Sequence, residues 1–180
     1  MKRTCLTILW IAALATVGFS QAQAPNREQS NIEKFSAKSG TLIQKQFVEL
    51  GKIKTVTVEL LVITDLVTNA RVAGVRMEYE AYSSIGSDTK IAFLDADEVD
   101  GLIKSISLLK SKVLNTTPDN YTEVVFGSRG GFEAGAYFAN GKWSTFLKLE
   151  RYDSRSSVSM KPEDFDHLLE LLQQAKQKLA

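Results

Sequence analysis

The chain has 180 residues, of which 44% are hydrophobic and 24% are charged, and its formal net charge is +1. This length and composition favour one compact domain with a hydrophobic core large enough to need no disulfides. The balanced charge lacks the basic excess that marks non-specific nucleic-acid binding, so it disfavours nucleic acid as a partner.

The N-terminus has the features of a signal peptide. Lys2 and Arg3 precede an apolar run over residues 6–19, and Ala22 and Ala24 are the small residues that signal peptidase recognises. The apolar run is shorter than the roughly 20 residues that a membrane-spanning helix needs. We therefore predict that residues 1–24 are a signal peptide cleaved after Ala24. The mature protein would be periplasmic or secreted, without a transmembrane segment.

Residues 25–40 are polar, and Ile32 and Phe35 are their large apolar side chains. Such a composition predicts a flexible N-terminal arm, with a short helical turn that places these two side chains on the body of the protein. The regular alternation of polar and apolar residues starts at residue 41, where we place the start of the globular domain.

Residues 41–114 have the pattern of four antiparallel strands followed by one amphipathic helix. The strands are predicted over residues 41–50, 53–66, 71–82 and 90–94, with turns at Gly51-Lys52 and Thr68-Asn69. Both faces of the second strand become apolar near Leu61, which predicts a central strand. Asp95 begins the helix, since it can cap the free amides and Glu98 stands at the capping-box position. Residues 116–120 form the linker that follows.

Residues 121–180 repeat this order. Strands are predicted over residues 121–126, 132–139, 142–152 and 157–160, and Asn140-Gly141 is the strongest hairpin signal in the chain because a type I′ turn needs two residues with positive φ. Pro162 precedes a second amphipathic helix, at a position where the first turn tolerates proline.

The two halves also match in sequence. Residues 77–82 (MEYEAY) correspond to residues 147–152 (LKLERY), and residues 97–103 (DEVDGLI) correspond to residues 163–169 (EDFDHLL). Such a match is typical of a duplicated and diverged unit. We therefore predict an α+β fold in which residues 41–180 form one globular domain of two ββββα repeats, 41–114 and 121–180. Their sheets would join or pack around a pseudo-twofold axis, with the helices covering one face.

The densest acidic group precedes and opens the first helix, at Asp95, Asp97, Glu98 and Asp100. Calcium uses carboxylate oxygens of this kind, but the twelve-residue loop of a calcium site is missing. The same acids suffice as a helix cap and as a complement to the helix dipole. The second helix also starts with acids, as a repeated structural need would require, so we predict no metal site.

The remaining candidates for chemistry are isolated. His167 is the only histidine, and the only cysteine, Cys5, lies in the predicted signal peptide. A lone histidine builds neither a catalytic triad nor a zinc site. The glycine-rich residues 127–131 join two predicted strands and do not open a helix, so they lack the context of a phosphate-binding loop. We predict no catalytic residues, no cofactor and no enzymatic activity.

Aromatic and basic residues are interleaved along one strand of the second repeat and the loop after it. Interleaved rings and cations on a sheet can bind a ligand by stacking and charge, although the same residues are ordinary constituents of strands. Alternation places Phe146, Lys148 and Tyr152 on one face, together with Glu150. The predicted binding surface consists of Phe146, Lys148, Arg151, Tyr152 and Arg155.

The unit of four strands and a helix, which in the second repeat reaches its helix through residues 158–165 (VSMKPEDF), resembles the single-stranded-DNA-binding transcriptional regulators of the Whirly and positive-cofactor type. That type has a strand, a short loop with proline and acids, and then a helix. The resemblance implies the element order of both repeats, and it implies no functional residues.

Three functions are compatible with these patterns. The first is an exported non-catalytic domain that binds a protein, a peptide or an envelope component through a sheet face or edge. The second is a module that binds single-stranded nucleic acid, whose affinity would fall steeply with salt. The third is an enzyme that uses carboxylates such as Asp95 and Asp97, which would have to lie in a cleft with a raised pKa.

Overall fold

A computed structural model describes residues 28–84 and 86–179. The predicted signal peptide and its cleavage site lie outside these residues. Within them, no helix combines the length and the apolar character that crossing a membrane requires.

The described chain contains two four-stranded antiparallel sheets, and a long helix follows each of them. The first sheet has the order β1-β2-β3-β4 and the second the order β5-β6-β7-β8, so each is a meander of consecutive strands. The elements are helix α1 (Asn31–Ser36), strands β1 (Ile43–Ile53), β2 (Val56–Asp65), β3 (Arg71–Ser83) and β4 (Gly86–Asp95), helix α2 (Ala96–Ser111), strands β5 (Thr122–Gly127), β6 (Glu133–Ala139), β7 (Lys142–Lys148) and β8 (Ser157–Met160), and helix α3 (Asp164–Leu179). This architecture confirms the α+β class and the duplicated ββββα unit.

Local signals located most turns correctly. Asn140 and Gly141 have φ angles of 52° and 75°, as the predicted hairpin requires. Strand β2 pairs with both β1 and β3 and is therefore central, as its two apolar faces predicted. The first turn was misplaced, because β1 continues through a bulge at Gly51 and the chain reverses at Lys54, which has a φ of 53°.

Two further strand boundaries differ from the prediction. Strand β4 begins at Gly86 because the polar Ser87, Asp88 and Thr89 pair with β3 at an exposed end of the sheet, where no apolar alternation is needed. Strand β7 ends at Lys148, because residues 149–156 leave the sheet and close a turn in which the Ser156 hydroxyl donates to the Glu150 carbonyl oxygen over 3.0 Å.

One hydrophobic core is shared by both repeats. It contains side chains of both sheets and of both long helices, among them Met77 of β3, Leu102 of α2, Leu147 of β7 and Leu172 of α3. Helix α2 contacts β3 and β4 of its own repeat and also β5 and β6 of the other, while α3 contacts β1, β2 and β3 of the first sheet. Each repeat therefore uses the other to bury its apolar surface.

Helix α1 covers part of the outer face of the first sheet, the face directed away from the shared core. It lies in the segment for which we predicted a loose arm with a helical turn. Its Ile32 is fully buried and packs with Leu61 and Ile63 of β2 in a second, small cluster. Gly74 of β3 leaves room for this contact, since a Cβ atom there would lie 2.5 Å from Cδ1 of Ile32.

Candidate functional site

The acidic group at the start of α2 is occupied by groups of the protein itself. The buried Asp95 carboxylate accepts hydrogen bonds from the backbone amides of Asn31 (2.8 Å) and Ile32 (3.1 Å) at the start of α1. It also accepts two from the Arg129 guanidinium, whose Nη2 and Nε atoms lie 2.9 Å and 3.2 Å from Oδ2. Asp95 is thus a structural junction between α1, α2 and the β5–β6 loop.

The other acids of this group serve the same junction. Glu98 accepts the amide of Asp95 (3.0 Å), as the predicted capping box requires, and also the amide of Arg129 (2.8 Å). Asp97 pairs with the Arg129 guanidinium at the surface. The hydrogen bond from Arg129 lowers the pKa of Asp97, whereas a carboxyl acting as a general acid needs a raised pKa. Among the described residues, no group of three or more side chains is arranged to hold a metal ion.

The glycine-rich residues 127–131 form the loop of the β5–β6 hairpin. The Ser128 amide donates to the carbonyl oxygen of Phe132 over 2.8 Å, and Arg129 at the tip holds the loop against the start of α2. His167 is exposed on α3, with its Nδ1 atom 3.2 Å from Oε2 of Glu170 in the next turn. Neither residues 127–131 nor His167 line the groove on the outer face of the second sheet.

An open groove crosses the outer face of the second sheet, where no helix of residues 28–84 and 86–179 corresponds to α1. Its volume is about 770 Å³. All four strands contribute to it: the lining residues are Tyr121, Glu123, Val125, Glu133, Tyr137, Thr145, Phe146, Lys148, Ser154, Ser157 and Ser159. This volume is within the range of about 300–1,000 Å³ found for small-molecule sites.

A row of three aromatic rings forms the middle of the groove. The ring centroids of Tyr121 and Tyr137 are 6.4 Å apart, and those of Tyr137 and Phe146 are 6.3 Å apart. Gly135 lies between Val125 and Phe146 in the strand register, so no side chain covers the floor at this point. Neighbouring rings are tilted by 33° and 41°, and together they provide an apolar surface against which a ligand can pack.

Charged groups stand at both ends of the aromatic row. At one end, the Tyr121 hydroxyl donates to the Glu123 carboxylate, and this hydrogen bond raises the pKa of Tyr121. At the other end, Nε of Arg151 donates to Oε1 of Glu133 over 2.8 Å, so these two charges offset each other. Lys148 lies directly between Glu133 and Ser157 in the register.

The structure separates the five residues of the predicted binding surface. Phe146 and Lys148 line the groove, and Arg151 lies at its edge, where it donates a hydrogen bond to the lining residue Glu133. Tyr152 does not share their face by alternation, because β7 ends at Lys148, and its side chain is exposed outside the groove. Arg155 is also outside the groove.

Arg155 belongs to an ion-pair network between the repeats. It pairs with Asp88 of β4 and with Asp153, and the buried Lys90 pairs with the same two carboxylates. The hydrogen bond from Lys90 lowers the pKa of Asp153 to about 2. These charges join the first sheet to the turn after β7 and have a structural role.

Sequence reasoning missed the groove residues on β5 and β6, chiefly Tyr121, Glu123, Glu133 and Tyr137. Alternation within each strand assigns Glu133 and Tyr137 to the same face of one strand and Phe146 to one face of the next strand. The register that brings them together was not visible, because it depends on pairing between strands.

Comparisons with known proteins gave no relatives: no protein-family model matches the chain, and neither curated proteins nor solved structures yielded a match.

Proposed function

We propose that this protein is an exported, non-catalytic binding domain whose binding surface is the groove on the outer face of the second sheet. The partner is a protein, a peptide or another component of the cell envelope. The observation that carries the proposal is the row of Tyr121, Tyr137 and Phe146 in an open groove with charged groups at both ends. Apolar rings that stay exposed in such a groove are typical of recognition surfaces.

The export half of the proposal rests on the N-terminal sequence. The basic start, the apolar run of residues 6–19 and the small residues at Ala22 and Ala24 support cleavage after Ala24. N-terminal sequencing of the protein recovered from its own cell envelope should give Pro25 as the first residue. Recovery of the full chain from the cytosol would contradict export.

The surroundings of the acidic residues support the proposal that the protein is non-catalytic. Asp95 and Glu98 are bound to backbone amides and Arg129, and Glu133 in the groove is paired with Arg151. A general acid or base must be able to reach a substrate proton, whereas these three carboxylates already accept hydrogen bonds from groups of the protein.

A single-stranded nucleic-acid-binding module is the second candidate, and the aromatic row favours it because bases stack on such rings. The charges of the groove oppose it, since Glu123 and Glu133 would approach the phosphates. Binding of a single-stranded oligonucleotide that weakens steeply between 50 and 200 mM salt, as a phosphate-dominated interaction should, would favour this alternative.

The groove can be tested by the native mass of the protein purified from its own cell envelope. The wild-type protein should carry extra mass that disappears on denaturation, and Phe146→Ser should lose it because a stacking surface is removed. Phe47→Ser is the matched control, since Phe47 is an exposed phenylalanine on β1 of the first sheet. An equal loss in both variants would contradict the assignment of the groove, and a bare wild-type protein would contradict a ligand held stably in the envelope.

A further inference from the structure

The two charges of the groove that lack an ion pair stand at opposite ends of the aromatic row. Glu123 has the neutral Tyr121 hydroxyl as its partner. The Lys148 ammonium has no hydrogen bond or ion pair to any residue of the described part of the chain, while the neighbouring Glu133 carboxylate accepts a hydrogen bond from Arg151. The groove therefore presents one negative and one positive group that remain available to a ligand.

The strand register gives the separation of these two charges. Glu123 of β5 is in register with Tyr137 of β6, and Tyr137 with Ser144 of β7, four positions before Lys148. With about 3.3 Å per residue along a strand and about 4.8 Å between strands, the Cα atoms of Glu123 and Lys148 are about 16 Å apart. An extended peptide of four or five residues spans about this distance.

The groove between the charges also suits a peptide. In the strand register, Gly135 lies midway between Glu123 and Lys148, and Tyr137 and Phe146 lie beside it on β6 and β7, where they provide an apolar surface for side chains. Ser157 is directly opposite Lys148, and its exposed hydroxyl can donate to the same anionic group as the lysine ammonium.

We propose that the groove binds a short peptide with free ends, with its terminal ammonium group at Glu123 and its terminal carboxylate at Lys148. This inference rests on the proposed function, because it specifies the ligand of the same surface. A polyanion would bring negative charge against Glu123, and a neutral saccharide would cover both charges without compensating them, which is unfavourable. A zwitterionic chain of four or five residues compensates both at once.

The test is calorimetric titration with the pentapeptide Gly-Leu-Ala-Leu-Gly, whose leucines can contact the rings. The free peptide should bind the wild-type mature protein, and N-acetylation or C-amidation should each weaken binding about tenfold, the effect of losing one charge-assisted contact. Equal affinity for free and blocked peptides, or no binding of the free peptide at 1 mM, would overturn the inference.

Two variants assign each peptide end to its residue. Lys148→Gln should abolish the effect of C-amidation and keep that of N-acetylation, and Glu123→Gln should do the reverse. Lys45→Gln and Glu49→Gln are the controls, since both residues are exposed on β1 of the first sheet. If both groove variants keep both effects, the ends bind elsewhere and the proposed orientation is wrong.

The peptide inference and the proposed function can fail separately. If Phe146→Ser removes the mass bound in the envelope but no peptide binds, the groove binds another class of ligand. If the pentapeptide binds with the predicted dependence on its ends while wild-type protein from the envelope is bare, the peptide site is confirmed. The protein then carries no stably bound ligand in the cell envelope.

Discussion

Asp95 connects three elements through one carboxylate. The side chain is 3% exposed, and it receives two backbone amides of α1 and the guanidinium of Arg129. Without this carboxylate, the two backbone amides of α1 and the guanidinium would lose their shared acceptor. The residue that looked from the sequence like a helix cap of α2 therefore also caps α1.

We expect Asp95→Asn to destabilise the protein by about 2–4 kcal/mol, because it removes a buried charge from hydrogen bonds that depend on it. The measurement is the free energy of unfolding from urea titration. Asp97→Asn is the matched control. Its carboxylate is 63% exposed and pairs with the same arginine, so the change should cost less than about 1 kcal/mol. Equal effects of the two substitutions would show that Asp95 does not have this junction role.

At the scale of single elements, helix α2 shows that the apolar residues at helical spacing are largely the ones that are buried. The apolar residues that recur at helical spacing in the sequence are Val99, Leu102, Ile103, Ile106, Leu109 and Val113. Of these, Val99, Leu102, Ile106 and Leu109 are buried in α2. Leu108, which the period places off the stripe, is exposed. The helical period alone determines which side of α2 faces the core.

The same element provides a prediction with an internal control. Leu102→Asp should lower the free energy of unfolding by about 3–5 kcal/mol, because it places an unpaired charge in the fully buried core. Leu108→Asp, on the exposed side of the same helix, should change it by less than about 1 kcal/mol. Chemical denaturation of both variants measures the difference, and similar stabilities would mean that the assigned helix faces are wrong.

At the scale of the whole molecule, the repeats are interlocked through their helices. Helix α3 of the second repeat packs on β1 of the first, where Gly51 at the bulge admits Leu171: a Cβ atom there would lie 3.0 Å from Cδ2 of this leucine. Helix α2 of the first repeat likewise contacts β5 and β6. Because neither repeat can bury its core surface alone, the two should fold as one unit.

Unfolding of the mature protein should therefore be a single cooperative transition. Trp143, the one tryptophan after the predicted signal peptide, reports on the second repeat, while far-ultraviolet circular dichroism reports on both. The two signals should give the same midpoint in urea. A fluorescence transition clearly separated from the circular dichroism transition would show that the repeats unfold independently.

The sequence by itself determined the elements and their duplication. Strand alternation, the helical stripes and the turn at Asn140-Gly141 depend on neighbours within a few residues, so they can be recognised without knowing the fold. The misplaced first turn at Gly51 has a different origin: its glycine marks a bulge that makes space for a side chain of α3, which local reasoning could not anticipate.

The tertiary structure alone decided where the groove lies and what lines it. Alternation assigns each side chain to one of two faces, but only packing decides which face is covered. In the described part of the chain, α1 closes part of the outer face of the first sheet, and no helix does so on the second. The groove residues meet through strand register, and Asp95 meets Arg129 across 34 positions of the chain. Such contacts follow from the shared core of the two repeats, and local sequence patterns carry no information about them.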